Sequence, residues 1–131
     1  MNVFVRWGKF NLVGAAGMAV QLGVLALLNV LAPAHYLLTS AAALEITLVH
    51  NFAWHVRFTW RDRRDGSPFW GQFLRFHLAN GFVSLFGNLA VMHLLVHTAH
   101  LHVLPANAIA ILCCSIVNFC LGDGWTFAAR A

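Results

Sequence analysis

NFAWHVRFTW at residues 51–60, followed directly by RDRR at 61–64, is the stretch that decides the fold. It closes a long apolar run, and residues 51–64 hold four of the chain's eight Lys and Arg residues. It also has an echo, NFCLGDGWTF at residues 118–127. Asn51, Phe52 and Thr59 align with Asn118, Phe119 and Thr126, while Phe58 and Trp60 align with Trp125 and Phe127, the two aromatic types exchanged. Both stretches read as Asn-Phe near the end of an apolar helix, then an aromatic-Thr-aromatic exit.

Outward from these exits, the chain is mostly apolar. Of 131 residues, 60% are hydrophobic and 9% charged, with a mean hydropathy of +0.73. A soluble domain this small has too much surface for so few charges. An apolar subunit buried in a complex is the alternative, but the apolar residues come in runs of bilayer length, about 20 residues. Four runs qualify, at residues 10–32, 36–56, 73–97 and 104–121. The expected fold is therefore all-α and integral to the membrane. The N-terminal run follows Arg6 and Lys9 like a signal peptide, but it exceeds the usual apolar core of about 7–15 residues and reads as a retained span. Cys113, Cys114 and Cys120 show no metal or disulfide spacing and read as buried thiols.

Charge sets the expected orientation. Arg6, Lys9, Arg57, Arg61, Arg63, Arg64, Arg75 and Arg130 fall at the N-terminus, the central loop or the C-terminus, and none falls in the other two connections. With four spans these three regions share one side, which the positive-inside rule makes cytoplasmic. The segregation argues against nucleic acid as a partner. All five tryptophans (Trp7, Trp54, Trp60, Trp70 and Trp125) lie at the same boundary, where indole rings favour the headgroup level. Asp65, Gly66, Ser67 and Pro68 break the chain, and Phe69, Trp70 and Phe73 read as an amphipathic approach to the third span.

The two halves repeat. Arg75-Phe76-His77-Leu78 opens the second as Lys9-Phe10-Asn11-Leu12 opens the first, and residues 88–95 (NLAVMHLL) match residues 21–28 (QLGVLALL). The expectation is a single membrane domain of two tandem two-span hairpins, at about 9–60 and 73–127, joined by a basic linker at about 61–72. Units with an even number of spans keep the same orientation, so a pseudo-two-fold would run along the membrane normal.

These features resemble the GtrA-like family of small four-span membrane proteins. The resemblance rests on Lys9-Phe10 and Arg75-Phe76, the early Gly14, and the paired exits, and it covers about residues 10–127. It implies association with a polyprenyl-phosphate-linked sugar in the bacterial inner membrane. Members are thought to move that lipid from the cytoplasmic to the outer leaflet, or to assist the glycosyltransferase that uses it. The family often has a basic pair before the aromatic-Thr-aromatic exit. Here the first copy keeps Arg57 alone, and the second has Gly122-Asp123-Gly124.

Candidate site residues divide by depth. Glu45 lies nine residues into the second run, roughly 14 Å along a helix. A carboxylate there costs about 2.5–3.5 kcal/mol or more and should face the protein interior. Gln21 is its expected partner, with Asn88 farther out; Glu45 either serves the sugar path or joins helices. Asn51 and Asn118 are expected to bond across helices, either lining the sugar path or holding the fold. Arg57, Lys9 and Arg75 are candidate lipid-phosphate ligands, since cationic forks and ammonium groups suit phosphate oxygens. The competing reading gives the basic cluster to topology and anionic headgroups. His93, His97, His100 and His102 cluster at the outer end, but no Cys or carboxylate joins them, so packing and hydrogen bonding are favoured over a metal.

No nucleophile–base pair, phosphate loop or zinc pattern is present, so a non-enzyme without cofactor is expected. Three functions stay open: a flippase or flippase subunit, an accessory anchor for a membrane glycosyltransferase, and a small proton-coupled exporter. The third fits least, because its acid belongs in the first span. A bundle this small is expected to need a second copy or another partner to enclose a sugar.

Overall fold

The computed structural model describes residues 1–63 and 67–128. Arg64 and Arg130 of the basic regions, and Asp65 and Gly66 of the linker, lie outside the described residues. The described chain is helical, with no strand among the described residues. α1 runs Val3–Leu31, and α2 runs Tyr36–Trp54 before widening into a π-turn at His55–Thr59. α3 spans Phe69–Thr98 and α4 runs Val103–Leu121. α1, α3 and α4 with its continuation (Val103–Thr126) are long and apolar enough to cross a membrane. α2 is not among them, which differs from the four runs expected. Its Glu45, His50 and Asn51 dilute an otherwise apolar helix of 19 residues.

Two helices begin earlier than their apolar runs. α1 starts at Val3 because the Asn2 side chain caps it, accepting from the Phe4 N–H at 3.0 Å. α3 starts at Phe69, behind Pro68, whose fixed φ suits the entrance to a helix. The aromatic approach at Phe69, Trp70 and Phe73 is thus the first turn of the third helix and not a separate segment. At the opposite end, the turn before α4 holds His100 at φ 55°, and the His102 ring caps α4, accepting from the Leu104 N–H at 3.5 Å.

The chain divides into two compact units, Met1–Arg64 and Asp65–Ala131. In the first, α1 packs on α2. α1 turns Arg6, Phe10, Val13 and Gly17 inward, a spacing of three and four that keeps one helical face on the neighbour. α2 answers with Thr39, Ala43 and Thr47, all buried. Small residues permit close approach, which matters where lipid removes the hydrophobic drive for helix pairing. At Gly17 a Cβ would overlap the Asn51 carboxamide, so a larger residue there requires Asn51 to move. Near the far end Thr39 Oγ1 donates to Asn29 Oδ1 at 2.8 Å.

In the second unit α3 packs on α4. α4 buries Ala106, Ala110, Cys114 and Asn118 at successive four-residue steps. α3 is interrupted by two π-turns, Val83–Gly87 and Leu94–Thr98, where each carbonyl bonds five residues ahead and the helix widens. The first of these faces α4 through Val83, whose carbonyl accepts from Cys114 Sγ at 3.6 Å.

Candidate functional site

α2 and α4 end alike. α2 closes in a π-turn at His55–Thr59 and α4 in another at Gly122–Thr126. The Trp60 N–H donates to the His55 carbonyl, and the Phe127 N–H to the Gly122 carbonyl, both at 2.9 Å. The π-turns therefore occupy the aligned exits found in the sequence. Each exit buries its threonine, Thr59 and Thr126, and the following ring, Trp60 and Phe127.

In each unit the exit is knitted to the start of the preceding helix by the same two contacts. Phe10 of α1 meets Trp60 edge-on with centroids 6.0 Å apart, and Phe76 of α3 meets Phe127 at 6.2 Å. The cation one position earlier reaches the backbone of the exit's first aromatic residue. Lys9 Nζ donates to the Phe58 carbonyl at 3.5 Å, and Arg75 Nη1 to the Trp125 carbonyl at 3.3 Å. Carbonyls at a helix end lack intrahelical partners and carry partial negative charge, so cations settle there. The basic-aromatic starts and the aromatic-Thr-aromatic exits are two halves of one joint. Arg75 also donates from Nε to the Gly71 carbonyl at 3.1 Å.

The first unit adds a polar lining that the second lacks. His55 Nδ1 pairs with Thr59 Oγ1 at 2.9 Å, and its ring stacks on Phe10 at 4.9 Å and 12°. Both residues are almost fully buried. Gly122 stands at the aligned position, and Thr126 Oγ1 has no hydrogen-bond partner among the described residues. Below this cage, Arg6 Nη2 donates to Asp62 Oδ2 at 2.9 Å. Slight desolvation acts to raise the Asp62 pKa, but the Arg6 hydrogen bond and charge hold the carboxyl below its ordinary value. Neither the Arg6–Asp62 pair nor the His55–Phe10 stack was anticipated. The available signal was Asp62 itself, a lone acid within RDRR.

The phosphate candidates take different settings. Lys9 is half-buried, its Nζ 4.6 Å from the Phe58 ring centroid, close enough for a cation–π contact. Arg57 is exposed and reaches back to the Ala53 carbonyl at 3.4 Å. Lys9 thus lies over Phe58, while Arg57 precedes that ring in the chain. Arg75 belongs to the second unit's joint.

The sugar-path candidates are not gathered into one place. Gln21, four residues beyond Gly17, continues the face of α1 that packs on α2. Glu45 is exposed and lies two residues past Ala43, about 200° around the helix from the packed face. The structure therefore turns Glu45 away from α1 and from Gln21, contrary to the inward pairing expected. Asn51 is wedged against Gly17, with its Oδ1 3.1 Å from His50 Nδ1. In the second unit, Asn88 and Asn118 each bury an Oδ1 that lacks a hydrogen-bond partner among the described residues. At the C-terminal end of α3 the rings of His93 and His97 lie 4.7 Å apart, the packing expected of an i, i+4 pair.

A groove opens beside the first joint. Leu12, Val13 and Ala16 of α1 and Trp54 and Phe58 of the α2 exit line it, and it encloses about 220 Å³. Its walls are apolar, and Lys9 stands at the end nearer the basic loop. A second apolar groove of about 180 Å³ lies between α3 and α4, beside the Val83–Gly87 π-turn.

No curated protein matches the chain. The family described as GtrA/DPMS, transmembrane domain, matches residues 9–127, from the lysine of the first joint to the buried phenylalanine of the second. With nine-tenths of its length inside that match, the chain belongs to the GtrA/DPMS transmembrane-domain family.

Proposed function

We propose that the chain is a non-catalytic membrane transporter that carries a polyprenyl-phosphate-linked sugar from the cytoplasmic to the outer leaflet of a bacterial inner membrane. The observation that carries this reading is the family match over residues 9–127. In it α2 crosses the membrane with the other three helices, and both termini face the cytoplasm. The two units are tandem copies of one hairpin, each closed by the same cation-to-carbonyl and ring-to-ring joint. Lys9 and Arg57 meet the lipid phosphate at the cytoplasmic face of the first copy, with Arg75 in the corresponding place of the second.

The sugar requires polar groups within the hydrocarbon layer. Glu45, Gln21, Asn51, Asn88 and Asn118 are the candidates. A carboxyl group exposed at the depth of Glu45 costs about 2.5–3.5 kcal/mol in lipid. A bundle this small needs a second copy of the chain or another partner to enclose the sugar. The family's description as a transmembrane domain favours a second reading, in which the helices anchor or assist a membrane glycosyltransferase.

The test is leaflet exchange. Purified protein in liposomes, given a fluorescent polyprenyl-phosphate sugar, should equilibrate the probe between leaflets without any transferase. Exchange no faster than in protein-free liposomes, with the transferase still requiring the chain for activity, selects the accessory reading instead.

A further inference from the structure

The apolar groove between α1 and the α2 exit carries an inference that deepens the proposed function and rests on it. We infer that this groove seats the phosphate-proximal part of a single isoprenoid chain, with Lys9 at its rim against the phosphate. Three observations lead there. Its lining (Leu12, Val13, Ala16, Trp54 and Phe58) offers no side-chain donor or acceptor beyond the Trp54 indole N–H. Sugar hydroxyls buried in it would lose water without gaining partners. At about 220 Å³ it is smaller than the pockets of about 300–1,000 Å³ that enclose whole ligands, so it suits a segment of chain.

The second observation is the cation. Leu12, Val13 and Ala16 lie three, four and seven residues beyond Lys9, on the same stripe of α1. Lys9 Nζ lies 4.6 Å from the Phe58 ring that forms one wall. An apolar trough ending at an ammonium group complements an anion carried on a hydrocarbon chain. A glycerophospholipid brings two chains and ester carbonyls to this depth, and the walls give its carbonyls little to bond.

The third is an asymmetry. Sixty-six residues on from Ala16, at the offset that aligns the helix starts, the second unit has Phe82. Phe82 is exposed, its ring 4.7 Å from that of Phe86, so the second unit carries a bulky ring where the first has a methyl. The first unit also keeps the exit arginine, Arg57, where the second has Gly124.

The test measures binding of a short isoprenyl phosphate and the matching neutral isoprenol to protein in nanodiscs. Ala16→Phe borrows the second unit's own residue, and Ala26→Phe, on an exposed stretch of α1, controls for added bulk. Ala16→Phe should weaken both ligands about tenfold, while Ala26→Phe leaves them unchanged. Lys9→Gln should weaken the phosphate about tenfold, the scale of one charge-assisted contact, and spare the alcohol. Independently of any variant, a diazirine-bearing isoprenyl phosphate should label the unaltered chain at Leu12, Ala16 or Phe58. Binding unchanged by Ala16→Phe, labelling confined to other segments, or equal competition by phosphatidylglycerol would overturn the groove assignment and leave the transport reading standing. No binding of isoprenyl phosphate to the unaltered protein would remove both.

Discussion

Asp62 is held by a residue 56 positions away, and that contact closes the loop side of the first unit. Arg6 is buried and Asp62 about one-third exposed, so solvent screens the pair and its contribution is about 1 kcal/mol at most. The sign of its pH dependence follows from the direction of the shift. The Asp62 pKa is depressed in the folded chain, so its contribution is complete above the unfolded value of about 3.9. It is lost as pH falls through the lower folded value. The stability difference between the natural chain and Asp62→Asn should stay constant from neutral pH to about 5 and vanish in stronger acid. Thermal melts in detergent across that range measure it. Gly17 makes a firmer prediction. A Cβ would overlap the Asn51 carboxamide, and overpacking of this kind costs about 1–3 kcal/mol. Gly17→Ala should be destabilising by that amount, and Gly17→Ala with Asn51→Ala should recover part of it.

At the scale of elements, the joint between helix start and helix exit explains why two sequence motifs recur together. Lys9 and Phe10 were legible as a basic-aromatic start, and residues 58–60 and 125–127 as aromatic-Thr-aromatic exits. Their contact was not, because it depends on chain reversal in each hairpin, and pairing across about 50 residues leaves no periodic trace. The π-turns were equally hidden, since each adds one residue to the helical register, and in a run that is apolar on nearly all sides so local a shift does not stand out. Glu45 shows a different limit. Its depth could be counted along the chain, but its face is set by which stripe of α2 meets α1, and small residues at Ala43 and Thr47 won that stripe. His55 gives the test of the joint. His55→Ala removes the stack on Phe10 and leaves the buried Thr59 hydroxyl without its ring partner. The two losses together should lower stability by about 2–4 kcal/mol. Thr59→Val in the same background should recover part of that loss, because the unsatisfied hydroxyl is gone; denaturation of the three variants in detergent measures it.

For the whole molecule, the question that governs function is whether α2 crosses. By length and composition three helices qualify among the described residues and α2 does not. The balance can be drawn from its residues. Leu37, Leu38, Leu44, Ile46, Leu48, Val49 and Phe52 contribute together about −2 to −4 kcal/mol at roughly −0.3 to −0.6 each. Glu45 opposes with about 2.5–3.5 kcal/mol. Alone, α2 sits near zero, so its surroundings decide. Along its length it packs on α1, and that contact is kept if both enter as a hairpin. If α2 stayed outside, Arg57, Arg61 and Arg63 would be carried to the outer face, against the positive-inside bias. Packing and charge therefore both favour crossing. A reporter fused after Arg63 should be cytoplasmic and one near His100 external. An external signal after Arg63 would leave three crossings, put the ends of the chain on opposite sides, and separate Lys9 from Arg57 across the bilayer. Neutralising Arg61 and Arg63 together should raise the external fraction after Arg63, since those charges supply much of the bias; replacing Glu45 with Leu should lower it, by removing the main penalty against crossing.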